Sequence, residues 1–250
     1  MRIGNSEIVV LEDVTALSYK AAEIFVRCIS EALSRKARFS VALSGGSTPK
    51  ALFSLLVEDD SFTNKIPWDK IHFFWGDERH VPPQDAQSNF RMADEMMLTK
   101  AHVRAGNIHR IPTEQSDSAK VAQDYEKELK IFFELATDQL PVFDFNLLGL
   151  GPDGHTASLF PGTKALYQNN RMVVANWVET FQTHRITMTA PVLNNADTIV
   201  FLVSGKEKAE VLQKILEGDH QPDLLPAQLI QPTHGKLIWL VDQAAAGRLT

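Results

Sequence analysis

The sequence predicts an α/β fold, an open and mainly parallel sheet with helices on both faces. Three observations carry that expectation. Short runs rich in β-branched and aromatic residues alternate with stretches whose apolar residues recur at helical spacing. Several of those runs end in glycine-rich or charged turns that open the next helix. No repeat, low-complexity run or linker-like stretch interrupts the 250 residues, so one domain over 1–250 is expected. Strands alternating with helices imply parallel pairing through right-handed crossovers.

A short strand at 8–11 precedes a long helix, on which Val14, Leu17, Ala21, Ile24, Phe25, Cys28, Ile29 and Leu33 recur at helical spacing. A strand at 39–43 turns into a helix beginning at Pro49, where a missing N–H costs little. A β-rich aromatic run follows at 71–75, then a helical stretch at 88–98 and an amphipathic helix at 121–135 that leads into a strand at 142–148. Further strands are expected at 171–178, 185–189 and 198–203, then a helix at 206–216 closed by Gly218 and a last strand at 236–241.

Composition narrows the function. With 44% hydrophobic and 22% charged residues, the chain reads as soluble and globular, long enough to fold without a disulfide or metal staple. The single Cys28 excludes an internal disulfide and falls in a helical pattern, which favours a reducing, cytoplasmic setting. The N-terminus lacks a secretory layout and no apolar run approaches membrane-spanning length, so no membrane association is expected. A net charge of −6 speaks against nucleic acid as a partner. A small anionic ligand would need a local concentration of donors and cations.

The most informative segment runs from Asp144-Phe145-Asn146-Leu147-Leu148 through Gly149-Leu150-Gly151-Pro152-Asp153-Gly154 to His155-Thr156. An apolar run ends in a glycine-dense turn that delivers an imidazole, the side chain best suited to act as a base near neutral pH. Gly149-x-Gly151-x-x-Gly154 also matches the dinucleotide-binding pattern, with Glu179 near the ribose-binding position. Pro152 removes a donor that a pyrophosphate would want, and His155 stands where a helix should open, so a dinucleotide is not expected.

In open α/β sheets, ligands gather beyond the carboxyl ends of the strands. The segments after Leu43, Trp75, Leu148 and Val203 should therefore meet at one crevice. Ser44-Gly45-Gly46-Ser47-Thr48-Pro49 offers free backbone, hydroxyls and a helix N-terminus, which suit a phosphate. It lacks the Gly-Lys-Ser/Thr ending of a Walker A loop and the closing glycine of a serine-hydrolase elbow. Gly76-Asp77-Glu78-Arg79 places three ionisable side chains directly after a buried strand: Arg79 suits phosphate or a polarised carbonyl, and Asp77 could orient a histidine. Ser88-Asn89-Phe90-Arg91 opens the next helix, and Asn89 and Arg91 are weaker candidates for added donors. Lys206 opposes the dipole at a helix start, a conflict that a bound phosphate would relieve.

His184 and Arg185 begin a strand near the same edge and are candidates to meet substrate. His72, His102, His109, His220 and His234 read as surface or core residues. No HExxH or paired Cys/His spacing appears, so neither a metal nor another cofactor is expected.

Taken together, the segments resemble the 6-phosphogluconolactonase family of the sugar-phosphate isomerase/deaminase-like superfamily. The matching pieces are Leu43-Ser44-Gly45-Gly46-Ser47-Thr48-Pro49, Trp75-Gly76-Asp77-Glu78-Arg79 with Val81-Pro82, Ser88-Asn89, the run from Gly149 to Pro161, and Ser204-Gly205-x-x-Lys208-Ala209. The resemblance implies a Rossmann-like fold and hydrolysis of 6-phospho-D-glucono-1,5-lactone in the pentose phosphate pathway. It implies functional coupling to glucose-6-phosphate dehydrogenase as well. It favours Lys208 over Lys206 as the lysine on the phosphate, although both fall on one helical turn.

By the same resemblance, His155 is the general base. Asp77 or Asp153 orients it, and Gly45, Gly46, Ser47, Thr48, Arg79 and a lysine hold phosphate. The related glucosamine-6-phosphate isomerase/deaminase carries an acid after the histidine, where this chain continues Thr156-Ala157-Ser158-Leu159-Phe160-Pro161. That difference favours hydrolysis over isomerisation. A non-catalytic sugar-phosphate sensor would need the phosphate loop but not the Asp77/His155 pair.

Overall fold

The computed structural model describes residues 2–3 and 6–250. Chain order gives β1 (Arg2–Ile3), β2 (Ser6–Leu11), α1 (Val14–Leu33), β3 (Phe39–Leu43), α2 (Ser47–Glu58), α3 (Asp60–Thr63), β4 (Ile71–Trp75) and β5 (Asp77–Arg79). There follow α4 (Asn89–Ala93), α5 (Ser118–Phe132), β6 (Phe145–Gly149), β7 (Val173–Val178), β8 (Thr183–Met188), α6 (Ala190–Asn194), β9 (Thr198–Val203), α7 (Ala209–Glu217) and β10 (Lys236–Asp242).

The main sheet has the order β1-β2-β10-β9-β6-β3-β4, and only the β1–β2 pair is antiparallel. Its middle strands are mostly apolar because both faces are covered, with Ser40 in β3 and Asn146 in β6 as buried exceptions. Every residue of β3 and β9 is buried, while β2, near one edge, buries only Ile8. Phe201 on β9 stacks on Trp239 of β10 at 3.8 Å between ring centroids. Asp13 caps α1 by accepting from Ala16 N at 2.8 Å. α1 packs on β3, β9 and β10 and against α2, and Cys28 is buried there.

Neighbouring strands β3 and β6 send their connections in opposite directions. The chain leaves β3 for β4 at one side of the sheet and leaves β6 for β9 at the other. Diverging crossovers open a crevice at the carboxyl ends of the two strands.

The second half departs from simple alternation. β7 and β8 do not join the parallel sheet. They pair antiparallel and, with β5, form a separate three-stranded sheet in the order β5-β8-β7. Residues 179–182 allow nothing else, because a parallel return needs a dozen residues or more. Gln182 closes that reversal in the left-handed region at φ 48°. Asp77–Arg79, read as a turn, is therefore a strand that carries the chain from one sheet to the other. The helix expected from Pro49 starts at Ser47, the one at 88–98 divides into α4 and a π turn at Asp94–Leu98, and Lys206–Lys208 forms a 3₁₀ turn before α7.

At the far edge, Phe73 of β4 is covered by the segment at Ile108 and His109, whose N–H donates to Phe73 O at 2.8 Å. His72 Nδ1 and His109 Nε2 share a hydrogen bond of 3.0 Å, and His109 Nδ1 faces Glu128 Oε1 at 2.7 Å. Burial, with His109 and Arg38 nearby, pushes the His72 imidazole down to about 4. A folded value below the unfolded one means that the unfolded chain takes up the proton first. The resulting stabilisation is complete above about pH 6.5 and is lost as the pH falls toward 4. His72→Phe should flatten that decline, seen as a smaller drop in the urea midpoint between pH 7 and pH 5. Equal drops in variant and parent would contradict it.

Candidate active site

The crevice at the switch point is lined by Ser44, Gly45, Gly46, Asp77, Arg79, Asn89, Gly149, Leu150, Gly151, Pro152, His155, Ala157 and Lys208. All four strand-end segments contribute, as the topology requires.

The first wall follows β3. Gly45 lies so close to Asn89 that a Cβ there would fall 1.9 Å from Asn89 Oδ1. Gly46, at φ 109°, occupies the N-cap of α2 and offers no capping side chain. The first N–H groups of that helix therefore have no side-chain acceptor from their cap, a disposition that suits an anion. Ser47 and Thr48 form that first turn but do not line the crevice.

The second wall is β5 with the start of α4. Asp77 does not bond to His155. Its Oδ2 accepts from Ser158 Oγ at 2.6 Å, tying β5 to the stretch after the histidine. Asn89 Nδ2 donates to Asp77 O at 3.0 Å, and Arg79 Nη1 donates to Gln87 O at 2.6 Å. Arg185 of β8 stands opposite Arg79 in register. It is only 8% exposed, and its Nε is buried with no hydrogen-bond partner. Burial, then the charge of Arg79, lowers its pKa, against the opposing pull of Asp77 and Glu78. An anion beside Arg79 would relieve both costs.

The third wall presents the imidazole. Gly151 N donates to His155 O at 2.8 Å and Gly154 N to Gly151 O at 3.1 Å, folding 151–155 into a tight turn. A Cβ on Gly151 would lie 2.0 Å from His155 Nδ1, so only glycine leaves room for the ring. His155 Nδ1 sits 2.5 Å from Asp153 Oδ1, and the ring stacks on Phe160 at 4.1 Å. Burial pushes the Asp153 carboxyl up, but its hydrogen bond to His155 and the histidine's charge outweigh that and lower it. An ionised carboxylate can only accept, so in the neutral ring Nδ1 carries the proton and Nε2 keeps its lone pair. The turn leads into a bridge between Thr156 and Leu159, not a helix, so the glycine pattern lacks the helix N-terminus a dinucleotide needs.

The fourth contribution is Lys208. Asp242 anchors its turn, accepting from Ser204 Oγ at 2.5 Å and from Gly205 N at 3.1 Å. Lys208 lines the crevice and Lys206, two residues earlier on the same turn, does not. Burial lowers the Lys208 pKa against the pull of Glu207 and Asp153.

Other candidates lie elsewhere. Arg91 is held by Glu95 Oε1 at 2.6 Å and by Gln84 O at 2.8 Å. His184 packs on Trp177 at 5.0 Å and lines a second cavity together with Asp153 and Phe160. Ser158 and Phe160 received no role from sequence, since a hydroxyl and a ring in a loop carry no mark of the partners they meet in space. Among the described residues, no group of three or more His, Cys, Asp or Glu is arranged to hold a metal ion, and no helix is long and apolar enough to cross a membrane.

A sequence profile of the glucosamine-6-phosphate isomerases/6-phosphogluconolactonase family matches residues 12–239. The chain belongs to that family. It is 39% identical over 241 residues to a 6-phosphogluconolactonase of Nostoc sp., covering 96% of this chain and 97% of the relative. A 6-phosphogluconolactonase of Synechocystis sp. is 42% identical over 221 residues, covering 88% and 89%. The structure of 6-phosphogluconolactonase from Trypanosoma cruzi superposes with a TM-score of 0.86 at 30% identity, covering 100% of this chain and 98% of that one.

Ser158→Ala should leave the buried Asp77 carboxylate short of a donor. The expected cost is about 1–3 kcal/mol in urea unfolding. A stability within a few tenths of a kcal/mol of the parent would show that the Asp77–Ser158 contact does not hold the two walls together.

Proposed function

We propose that the crevice hydrolyses 6-phospho-D-glucono-1,5-lactone to 6-phospho-D-gluconate, with His155 as general base. The observation that carries this reading is the Asp153–His155 pair at the mouth of a crevice that also holds Arg79 and Lys208. A purely sensing pocket would need the cations but not the oriented imidazole. The relatives named above as 6-phosphogluconolactonases support the same reaction.

The substrate phosphate docks on Arg79, Lys208 and the Gly45-Gly46 backbone that leads into α2, with Arg185 reinforcing the positive field behind Arg79. Anchoring a non-reacting group converts its binding energy into placement of the lactone carbonyl. His155 Nε2 removes a proton from water as the water oxygen bonds to C1, and the carbonyl electrons move onto oxygen. Gly151, Gly154 and His155 already spend their N–H groups inside the turn, the last on Asp153 Oδ1 at 3.2 Å. Those three N–H groups are therefore not free to stabilise the tetrahedral oxyanion. Collapse breaks the bond from C1 to the ring oxygen, and His155 returns its proton there. A lactone is already a reactive ester, so the scheme needs no covalent enzyme intermediate and no cofactor.

The segment after His155 carries no acid where an isomerase or deaminase would use one, and Ser158 of that segment is committed to Asp77. Coupling to glucose-6-phosphate dehydrogenase would run through the lactone that such an enzyme releases.

His155→Ala should lower kcat for the lactone about 100- to 10,000-fold, the range for a lost general base. The measurement is proton release from freshly generated lactone, corrected for spontaneous hydrolysis. Turnover near the parent value, or release of ammonia or a ketose by the parent protein, would overturn the assignment.

A further inference from the structure

Glu78 has no place in the scheme above, yet it is 2% exposed and carries a carboxylate. Taking a charge out of water is costly unless hydrogen bonds replace the lost hydration. Here they do. Oε1 accepts from Arg79 N at 2.8 Å and from Asn89 N at 2.8 Å. Oε2 accepts from Phe90 N at 2.8 Å and from Ser88 Oγ at 3.1 Å. Two of these donors are first-turn N–H groups of α4, and a third belongs to β5. One carboxylate thus joins two elements that lie ten residues apart in sequence.

The joined elements carry the crevice wall. Arg79 and Asn89 both line it, and Asn89 closes against Gly45 of the opposite loop. The Glu78 charge also opposes the repulsion between Arg79 and Arg185. We propose that Glu78 is a positioning residue that sets the phosphate end of the crevice by fixing Arg79 and Asn89 through its four hydrogen bonds. This rests on the reading of the same crevice as a sugar-phosphate site. It goes beyond that reading by naming a side chain that never touches substrate yet determines its affinity.

Glu78→Gln keeps the size but replaces one accepting oxygen with a donor, so the N–H and hydroxyl donors can no longer all be met. Three readouts test the proposal. Calorimetric titration with inorganic phosphate and with 6-phosphogluconate should show affinity at least 10-fold weaker than the parent. KM for the phosphorylated lactone should rise at least 10-fold, while kcat changes by less than about 3-fold, since an anchoring defect weakens binding more than chemistry. Hydrolysis of unphosphorylated glucono-1,5-lactone should not fall in step.

Ligand affinity within 2-fold of the parent overturns the proposal, as does an equal loss on both lactones, which would mark a general folding role. If Glu78→Gln does not fold, Ser88→Ala removes one donor and should shift phosphate affinity about 3-fold in the same direction. No shift there would overturn it as well. The phosphate titration reads the wall without needing turnover, so a failure of the lactonase assignment would be seen separately.

Discussion

The reaction proposed for this crevice depends on the contact between His155 Nδ1 and Asp153. That contact fixes which nitrogen holds the proton and where the ring stands, and much of the surrounding structure keeps it in place. Gly151 supplies space that any Cβ would take from the ring. Phe160 supports one ring face. Gly154, in the left-handed region at φ 83°, lets the turn close against Leu225, and Ala227 N donates to Gly154 O at 2.9 Å. The glycines that mimic a dinucleotide fingerprint are thus spent on mounting an imidazole.

The remaining walls follow from topology. Diverging crossovers at β3 and β6 leave an opening, and β5 carries the chain out of β4 into a second sheet that closes one side. Short polar ties then fix the walls to each other. Asp77 binds Ser158, Asn89 binds Asp77 O, and Asp242 holds the turn that brings Lys208 inward. Positive charge accumulates in Arg79, Arg185 and Lys208 although the chain as a whole is acidic at −6. A local field of that kind selects an anionic ligand without attracting polyanions in general.

Most of the main sheet was legible because buried parallel strands are mostly apolar runs. β3, β4 and β9 begin and end where the β-rich runs do. The placement of β7 and β8 was not legible from alternation, since both strands fit the pattern and only the four-residue reversal at 179–182 excludes a parallel return. Within the site, the strand-end rule gathered the correct segments, because it depends on chain direction alone. It could not separate Asp77 from Asp153 as the partner of His155. That choice turns on a tight turn which places Asp153 against the ring's Nδ1, while Asp77 meets Ser158 instead. Lys206 and Lys208 differ in the same way: a 3₁₀ turn, which sequence does not announce, directs only the second into the crevice.

In the proposed reaction Asp153 holds His155 as the Nδ1-protonated neutral tautomer, leaving Nε2 free to accept a proton from water. Nitrogen-15 NMR of the histidine ring, assigned by comparison with His155→Gln, tests it most directly. In the neutral ring the expected result is a protonated Nδ1 and an unprotonated Nε2, with that preference lost in Asp153→Ala. A ring protonated at Nε2 in the parent protein would contradict it.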